Sequence, residues 1–529
     1  MPQPIYHLDA CVMLGPGDWT LEGQPVTRDA LLKAMGHFGI HEALVRNSLC
    51  EIGDVDLGNR RLIEKTKEYP RLHPVWTVLP QATRELPHPE EMVAQMGVSG
   101  VAAAWLPYGA FGIPLETWCL GSLLEVLEAH RVPLFLCPTD RREGERADAT
   151  DWNGVVGLCK AFPDLPMILT EGRIYKSQRA LIATMETCPN LLVDISVPWL
   201  HRFVELLCER FGADRMVRGS QLPYRTPGAT LMQLQCAEIS HEDKALIAGG
   251  TLRKLCSWND SIRFVAEEVT FPQPLDAFHR AAREMDDISG SSFYDCHGHI
   301  GMRNQRHLIS DPPEELVREM DRQGVRVCCL FTWIGHGDMR YANDLTLDAI
   351  QKFPDRFVGF TALNPNHGEE EMRQELVRGL AHGMKGIKLI NAIQGYPADG
   401  PLIDLACNFA NEHGYLVLNH FWGPPEVVRG LCEKYTQAIF IAGHSEGNFV
   451  DLVREFPNLY ICTCPFLAWG QTEDYVERYG SDRLLFGSDL QDLPIPWGLG
   501  PIFYARVPES DKRLILGDNL KRLLENQEV

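Results

Sequence analysis

The stretch DCHGHIG, residues 295–301, sets two imidazoles, His297 and His299, one residue apart behind an aspartate. On a strand, alternate residues face the same way, so both rings can meet one ion. Three more residues with metal affinity each stand where an apolar run ends: His420 after YLVLN, His444 after AIFIAG, and Asp489 after RLLFGS. Three or four imidazoles with one carboxylate suit zinc or another divalent transition metal. An HxH pair alone is a weak signal, and His420 or Asp489 alone is equally a core histidine or a helix cap. Their joint placement in one series is what points to metal chemistry.

Such residues need elements that carry strand ends to one place. From 325 onward, β-rich runs such as VRVCCLFTW, RFVGFTAL, GIKLI and YLVLNHF alternate with helical stretches such as EEMRQELVRGLAH. Runs apolar on both faces suit a parallel sheet covered by helices. Seven or eight such units in about 250 residues predict a (β/α)8 barrel, with its chemistry at the C-terminal strand ends.

The chain also repeats itself. YGSDRLLFGSD at 479–489 matches FGADRMVRGSQ at 211–221, LILGDNLKRL at 514–523 matches LIAGGTLRKL at 246–255, and PNLY at 457–460 matches PNLL at 189–192, all 268 residues apart. Nearer the start of each half, Asp295 pairs with Asp9, and GMKGIKL at 383–389 with GVSGVAA at 97–103, at a spacing of 286. A chain of 529 residues exceeds one hydrophobic core in any case. The expectation is two tandem (β/α)8 TIM barrels, over 1–270 and 291–529. Residues 271–290 are expected to link them, from FPQP through a polar helical stretch to SGSS.

A net charge of −21 and a pI near 5.3 exclude sequence-independent binding to nucleic acid or anionic membranes. The N-terminus has no signal-like start and no run is long enough to span a membrane, so a cytoplasmic protein is expected. Sixteen cysteines without repeated CxxC spacing indicate neither a disulfide framework nor a zinc ribbon, and are read as mostly buried apolar residues.

DCHGHIG, GIKL, NHFWG, AGHSEG and FGSDL, in this order, resemble the amidohydrolase superfamily. The likeness is to its amidohydrolase-related branch of metal-dependent TIM barrels, which includes aminocarboxymuconate-semialdehyde and resorcylate decarboxylases and pyrone-dicarboxylate lactonases. The resemblance covers 293–529, with a decayed version over 5–257. It implies His297, His299, His420 and Asp489 as ligands of one divalent ion, zinc or alternatively manganese. It also implies His444 beside that ion as a catalytic group with Asp489. The branch generally uses one metal, so Lys388 is read as a substrate-facing or structural cation rather than a carboxylated bridge. Arg303, Arg306, His307, Trp333, Trp422 and Trp469 are candidates for the mouth, where aromatic walls and cations suit a planar, anionic small molecule.

In the first copy, Cys11 and Met13 take the places of His297 and His299, Cys137 that of His420, Gln221 that of Asp489 and Ala102 that of Lys388. Glu171 falls near the place of His444. The expectation is a non-catalytic barrel whose cavity is filled by neutral side chains, packing on the second barrel or on a partner in a homo-oligomer. The expected activity is hydrolysis of an amide, lactone or similar C–N or C–O bond of a small carboxylated molecule by a metal-activated water. Nonoxidative decarboxylation of an aromatic or unsaturated acid is the alternative, and a catalytically silent binding or scaffold protein the second.

Overall fold

The computed structural model describes residues 4–17, 21–139, 150–265, 269–302, 309, 311–333, 337–444 and 448–527. They form two compact units, 1–274 with 468–470, and the rest of 275–529.

Each unit holds eight parallel strands in sequence order. In the first these are β1 (Leu8–Leu14), β2 (Glu42–Asn47), β3 (Leu72–Thr77), β4 (Ala103–Leu106), β5 (Leu134–Leu136), β6 (Met167–Leu169), β7 (Leu191–Asp194) and β8 (Met216–Val217). In the second they are β9 (Phe293–Ile300), β10 (Val325–Thr332), β11 (Phe357–Ala362), β12 (Gly386–Leu389), β13 (Leu416–Asn419), β14 (Ile439–Ala442), β15 (Leu459–Cys462) and β16 (Leu484–Leu485). Helices follow the strands, so almost every strand residue is covered on both faces and the runs read as continuous apolar sequence. Both sheets close into barrels in the same way. Ala10 N donates to Arg218 O and Gln221 N to Cys11 O; Cys296 N donates to Phe486 O and Asp489 N to His297 O. These are two TIM barrels in tandem.

Helix starts follow the local chemistry. Pro313–Arg322 opens on proline with Glu314 and Glu315 in its first turn, and Asp338 caps Met339–Lys352 by accepting from Tyr341 N. Residues 277–284, within the stretch expected to link the barrels, form a helix that groups with the second unit. In each barrel a wide helical turn, Leu246–Gly250 or Leu514–Asp518, crosses close to the first strand. Glycine is needed there: a Cβ on Gly249 would come 2.8 Å from Leu8 N, and one on Gly517 3.2 Å from Ser292 O.

The strand register corrects one correspondence. Thr77 pairs with Trp105 and Ala362 with Lys388, while Val78 N donates to Trp105 O and Leu363 N to Lys388 O. Lys388 therefore faces the place of Trp105, not Ala102. Short glycine-bearing phrases before the strand mimic each other at a spacing three residues too long.

Candidate metal centre

The C-terminal ends of the second barrel's strands bring the candidate ligands together. Asp295 anchors the turn: its Oδ1 accepts from His297 N at 2.9 Å and Ser488 N at 3.1 Å, and its Oδ2 from Ser488 Oγ at 2.5 Å. Burial pushes its carboxyl up to about 7. These bonds tie β9 to the loop after β16, so both histidines and Asp489 share one locality. His299 Nε2 lies 3.0 Å and His297 Nε2 3.5 Å from Asp489 Oδ1. His420 follows β13 and His444 follows β14, their rings 3.8 Å apart, with His444 5.1 Å from His297.

His444 and Asp489 both hold positive φ, 52° and 61°. Non-glycine residues adopt this costly backbone where the surroundings enforce it, commonly at functional sites.

His297, His299 and Asp489 offer ligand atoms within 4.8 Å of one another, as do His297, His420 and His444, and also His444, Cys464 and Asp489. His297 Nε2, His299 Nδ1, His420 Nδ1 and His444 Nε2 have no hydrogen-bond partner among the described residues. Buried polar atoms are seldom left so, and this donor set fits a divalent ion. Burial favours neutral rings, pushing His299 down to about 4, His444 to about 3 and His420 well below its ordinary value. Burial opposes the charge on Asp489, but the His299 hydrogen bond and the nearby His444 and His297 hold it below the usual carboxylate range.

Beneath the cluster, the Lys388 ammonium lies 4.4 Å from the centre of the Phe331 ring, which stands edge-on to His299 at 4.8 Å. Trp333 meets His299 at 6.4 Å and His420 at 5.8 Å, both edge-to-face, and Phe421 meets His420 at 4.7 Å. Trp422, expected at the mouth, is buried instead; its Nε1 donates to Ile441 O and it packs edge-on to Phe440. Trp469 groups with the first unit. Arg303, Arg306 and His307 lie outside the described residues. Sequence reasoning passed over Cys462 and Cys464, although they alternate at the end of an apolar run just as His297 and His299 do.

The same seats in the first barrel hold different chemistry. Glu171 and Gln221 repeat the positive φ of His444 and Asp489, at 48° and 62°. Cys137 N donates to Leu106 O as His420 N does to Leu389 O. The cavity is not filled by neutral groups alone. The Arg46 guanidinium pairs with Glu171, bonds Glu51 at 2.5 Å and stacks over Trp105 at 4.3 Å. Cys11 Sγ donates to Glu171 at 2.8 Å and Cys137 Sγ lies 3.6 Å from it. Among the described residues, no group of three potential ligands falls in this barrel.

The model of the amidohydrolase family matches residues 50–255 and 294–525, well over half of the chain, and the protein belongs to that family. No curated protein matches the chain. Among solved structures, a 2,6-dihydroxybenzoate decarboxylase in complex with 2,6-dihydroxybenzoate is similar at 18% identity and TM-score 0.38, over 45% of this chain and 99% of that one. The 5-carboxyvanillate decarboxylase of Sphingomonas paucimobilis is similar at 15% identity and TM-score 0.38, over 44% and 99%. A dihydroxybenzoic acid decarboxylase of a Polaromonas species, with bound manganese and 2-nitroresorcinol, is similar at 18% identity and TM-score 0.38, over 44% and 97%.

Proposed function

We propose that the second barrel is a metal-dependent catalyst acting on a small, planar, carboxylated molecule, and that its reaction is nonoxidative decarboxylation. The observation that carries the metal reading is the cluster of His297, His420 and His444, whose buried ring nitrogens lack hydrogen-bond partners among the described residues, next to the His297, His299 and Asp489 group. His297, His299, His420 and Asp489 would hold the ion, with His444 beside it. A divalent ion bound there would supply Lewis acidity toward a substrate oxygen.

The chain's own residues do the rest. Trp333, edge-on to two of the imidazoles, supports a flat ring at the mouth. Lys388 sets positive charge beneath an anionic substrate. In decarboxylation the bond from ring carbon to carboxyl breaks, carbon dioxide leaves, and the carbon takes up a proton passed through His444 or Asp489. Trp333 and Phe421 against His420 suit an aromatic acid, which supports decarboxylation, whereas sequence alone places hydrolysis first. Hydrolysis remains as a second reading, because the same imidazole and carboxylate set suits the binding of a water as well as of a substrate oxygen.

The test uses zinc- or manganese-loaded protein with 2,6-dihydroxybenzoate, 5-carboxyvanillate, lactones and amides. Release of carbon dioxide from an aromatic acid, lost in His444→Asn with metal content retained, is expected. Acid release from lactones or amides without any carbon dioxide would reverse the order of the readings. Metal uptake with no turnover of any class would move the protein to the binding class.

A further inference from the structure

A histidine that holds an ion uses one ring nitrogen, and the hydrogen bond made by the other fixes the tautomer and the ring plane. In His297, Nε2 faces Asp489 without a hydrogen-bond partner among the described residues, and Nδ1 meets Cys462 Sγ at 3.7 Å. Cys462 closes β15, fully buried and in register with Leu485 of β16. Its place is fixed by Gly487, where a Cβ would come 2.4 Å from the Cys462 sulfur and 3.0 Å from the His297 Cβ. Only glycine lets ring and thiol pack this closely.

The first barrel supplies an independent observation. Asp194 closes β7 in register with Val217, as Cys462 does with Leu485. A Cβ on Gly219 would come 2.3 Å from Asp194 Oδ2 and 3.0 Å from the Cβ of Cys11, which holds the seat of His297. Asp194 accepts from Thr170 Oγ1, Ser196 N and Gly219 N, at 2.9, 3.0 and 2.9 Å. The seat behind the first ligand thus carries a hydrogen-bonding side chain in both barrels: a carboxylate where the histidine is gone, a thiol where it remains. A carboxylate is the usual partner for a metal-bound imidazole, so Asp194 at this position marks the seat as an orienting one.

We propose that Cys462 is the positioning residue of His297: Nδ1–H donates to the Cys462 sulfur, which presents Nε2 to the ion. This rests on the metal reading above. Cobalt(II) titration of the metal-stripped full-length chain tests it, read by visible d–d absorption and by competition with a chelator. Cys462→Ala should weaken cobalt binding about 10- to 100-fold and alter the absorption bands. Cys462→Ser, which keeps a hydrogen-bonding group in the seat, should restore most of the affinity, and thermal unfolding of the stripped variants controls for folding. Wild-type affinity and bands in the alanine variant would overturn the assignment. So would a serine variant as weak as alanine, since packing alone would then explain the loss. A sulfur-to-cobalt charge-transfer band in wild type, absent from Cys462→Ala, would also overturn it, because the thiol would then be a ligand. A wild-type chain that takes up no cobalt would instead refute the metal reading itself.

Discussion

Replacing Arg46 by methionine tests whether an internal ion pair occupies, in the first barrel, the space that corresponds to the proposed metal site of the second. Arg46 is 3% exposed and Glu171 4%, and both stand within the strand-end cavity of the first barrel. Two such charges repay their desolvation only while they face each other, and breaking a buried pair from one side costs about 3–5 kcal/mol. Arg46→Met removes the charge but keeps much of the side-chain volume over Trp105, so the full cost should fall on the stranded Glu171. Glu171→Gln leaves Arg46 its bond to Glu51 and its place over Trp105, so about 2 kcal/mol is expected. The double variant should be nearly as stable as wild type, a coupling of about 3 kcal/mol or more. A chain of two barrels need not unfold in one step, so hydrogen exchange resolved to β2, β4 and β6 should accompany urea unfolding. If Arg46→Met costs under about 1 kcal/mol, or the two changes simply add, the pair does not hold this cavity together.

Metal analysis should find about one equivalent per chain, unchanged in Gln221→Ala and reduced in Asp489→Ala with loss of turnover; a stoichiometric ion on Cys11 and Cys137 would refute the asymmetry. Exhaustive chelation should abolish turnover and Zn²⁺ or Mn²⁺ should restore it, whereas chelator-resistant activity would require a metal-free mechanism. Gly487→Ala should weaken metal binding with little change elsewhere, because the new Cβ must push aside the Cys462 sulfur or His297. The metal-stripped protein should lose stability in acid. His299 and His444 are neutral when folded, down to about 4 and 3, while unfolded imidazole takes up its proton near 6.5. Their contribution is therefore full above about pH 6.5 and falls as pH drops toward 4, by about 1.4 kcal/mol per pH unit for each ring. Urea midpoints equal at pH 7.5 and 5 would contradict the burial of these rings.

The barrel architecture was legible because each strand is covered on both faces, which leaves an unbroken apolar run ending at a polar residue. The strand-end positions of His297, His299, His420, His444 and Asp489 were legible for the same reason, since they stand where those runs stop. The partner of Lys388 was not. Gly383 and Gly100 both end their helices at positive φ, 88° and 68°, but sequence alone aligned Gly383 with Gly97 and shifted the following strand by three residues. Nor could sequence find Arg46, which lies inside β2 with no turn or cap to mark it, and whose meaning comes only from Glu171 on β6's far end. Trp422 misled because an aromatic residue after a strand-end histidine looks like a wall, and its indole N–H found a carbonyl in the core instead.

Compared seat by seat, the barrels differ in linked sets rather than single residues. The second has Lys388 on β12 over Phe331 on β10; the first has Arg46 on β2 over Trp105 on β4, so cation and ring have changed strands while the stack is kept. Asp489 shares a potential ligand group with Cys464, and in their seats the Gln221 amide donates to Ser196 Oγ at 3.2 Å. His444 gives way to Glu171, whose negative charge would repel nothing once Arg46 reaches it. A lone change at any of these seats would leave a buried charge or donor unsatisfied, at a cost comparable to much of a domain's stability. The changes are compatible with a folded barrel only together. The result is a first barrel whose strand ends hold a guanidinium paired with a carboxylate, and a second whose strand ends hold imidazole nitrogens without hydrogen-bond partners among the described residues.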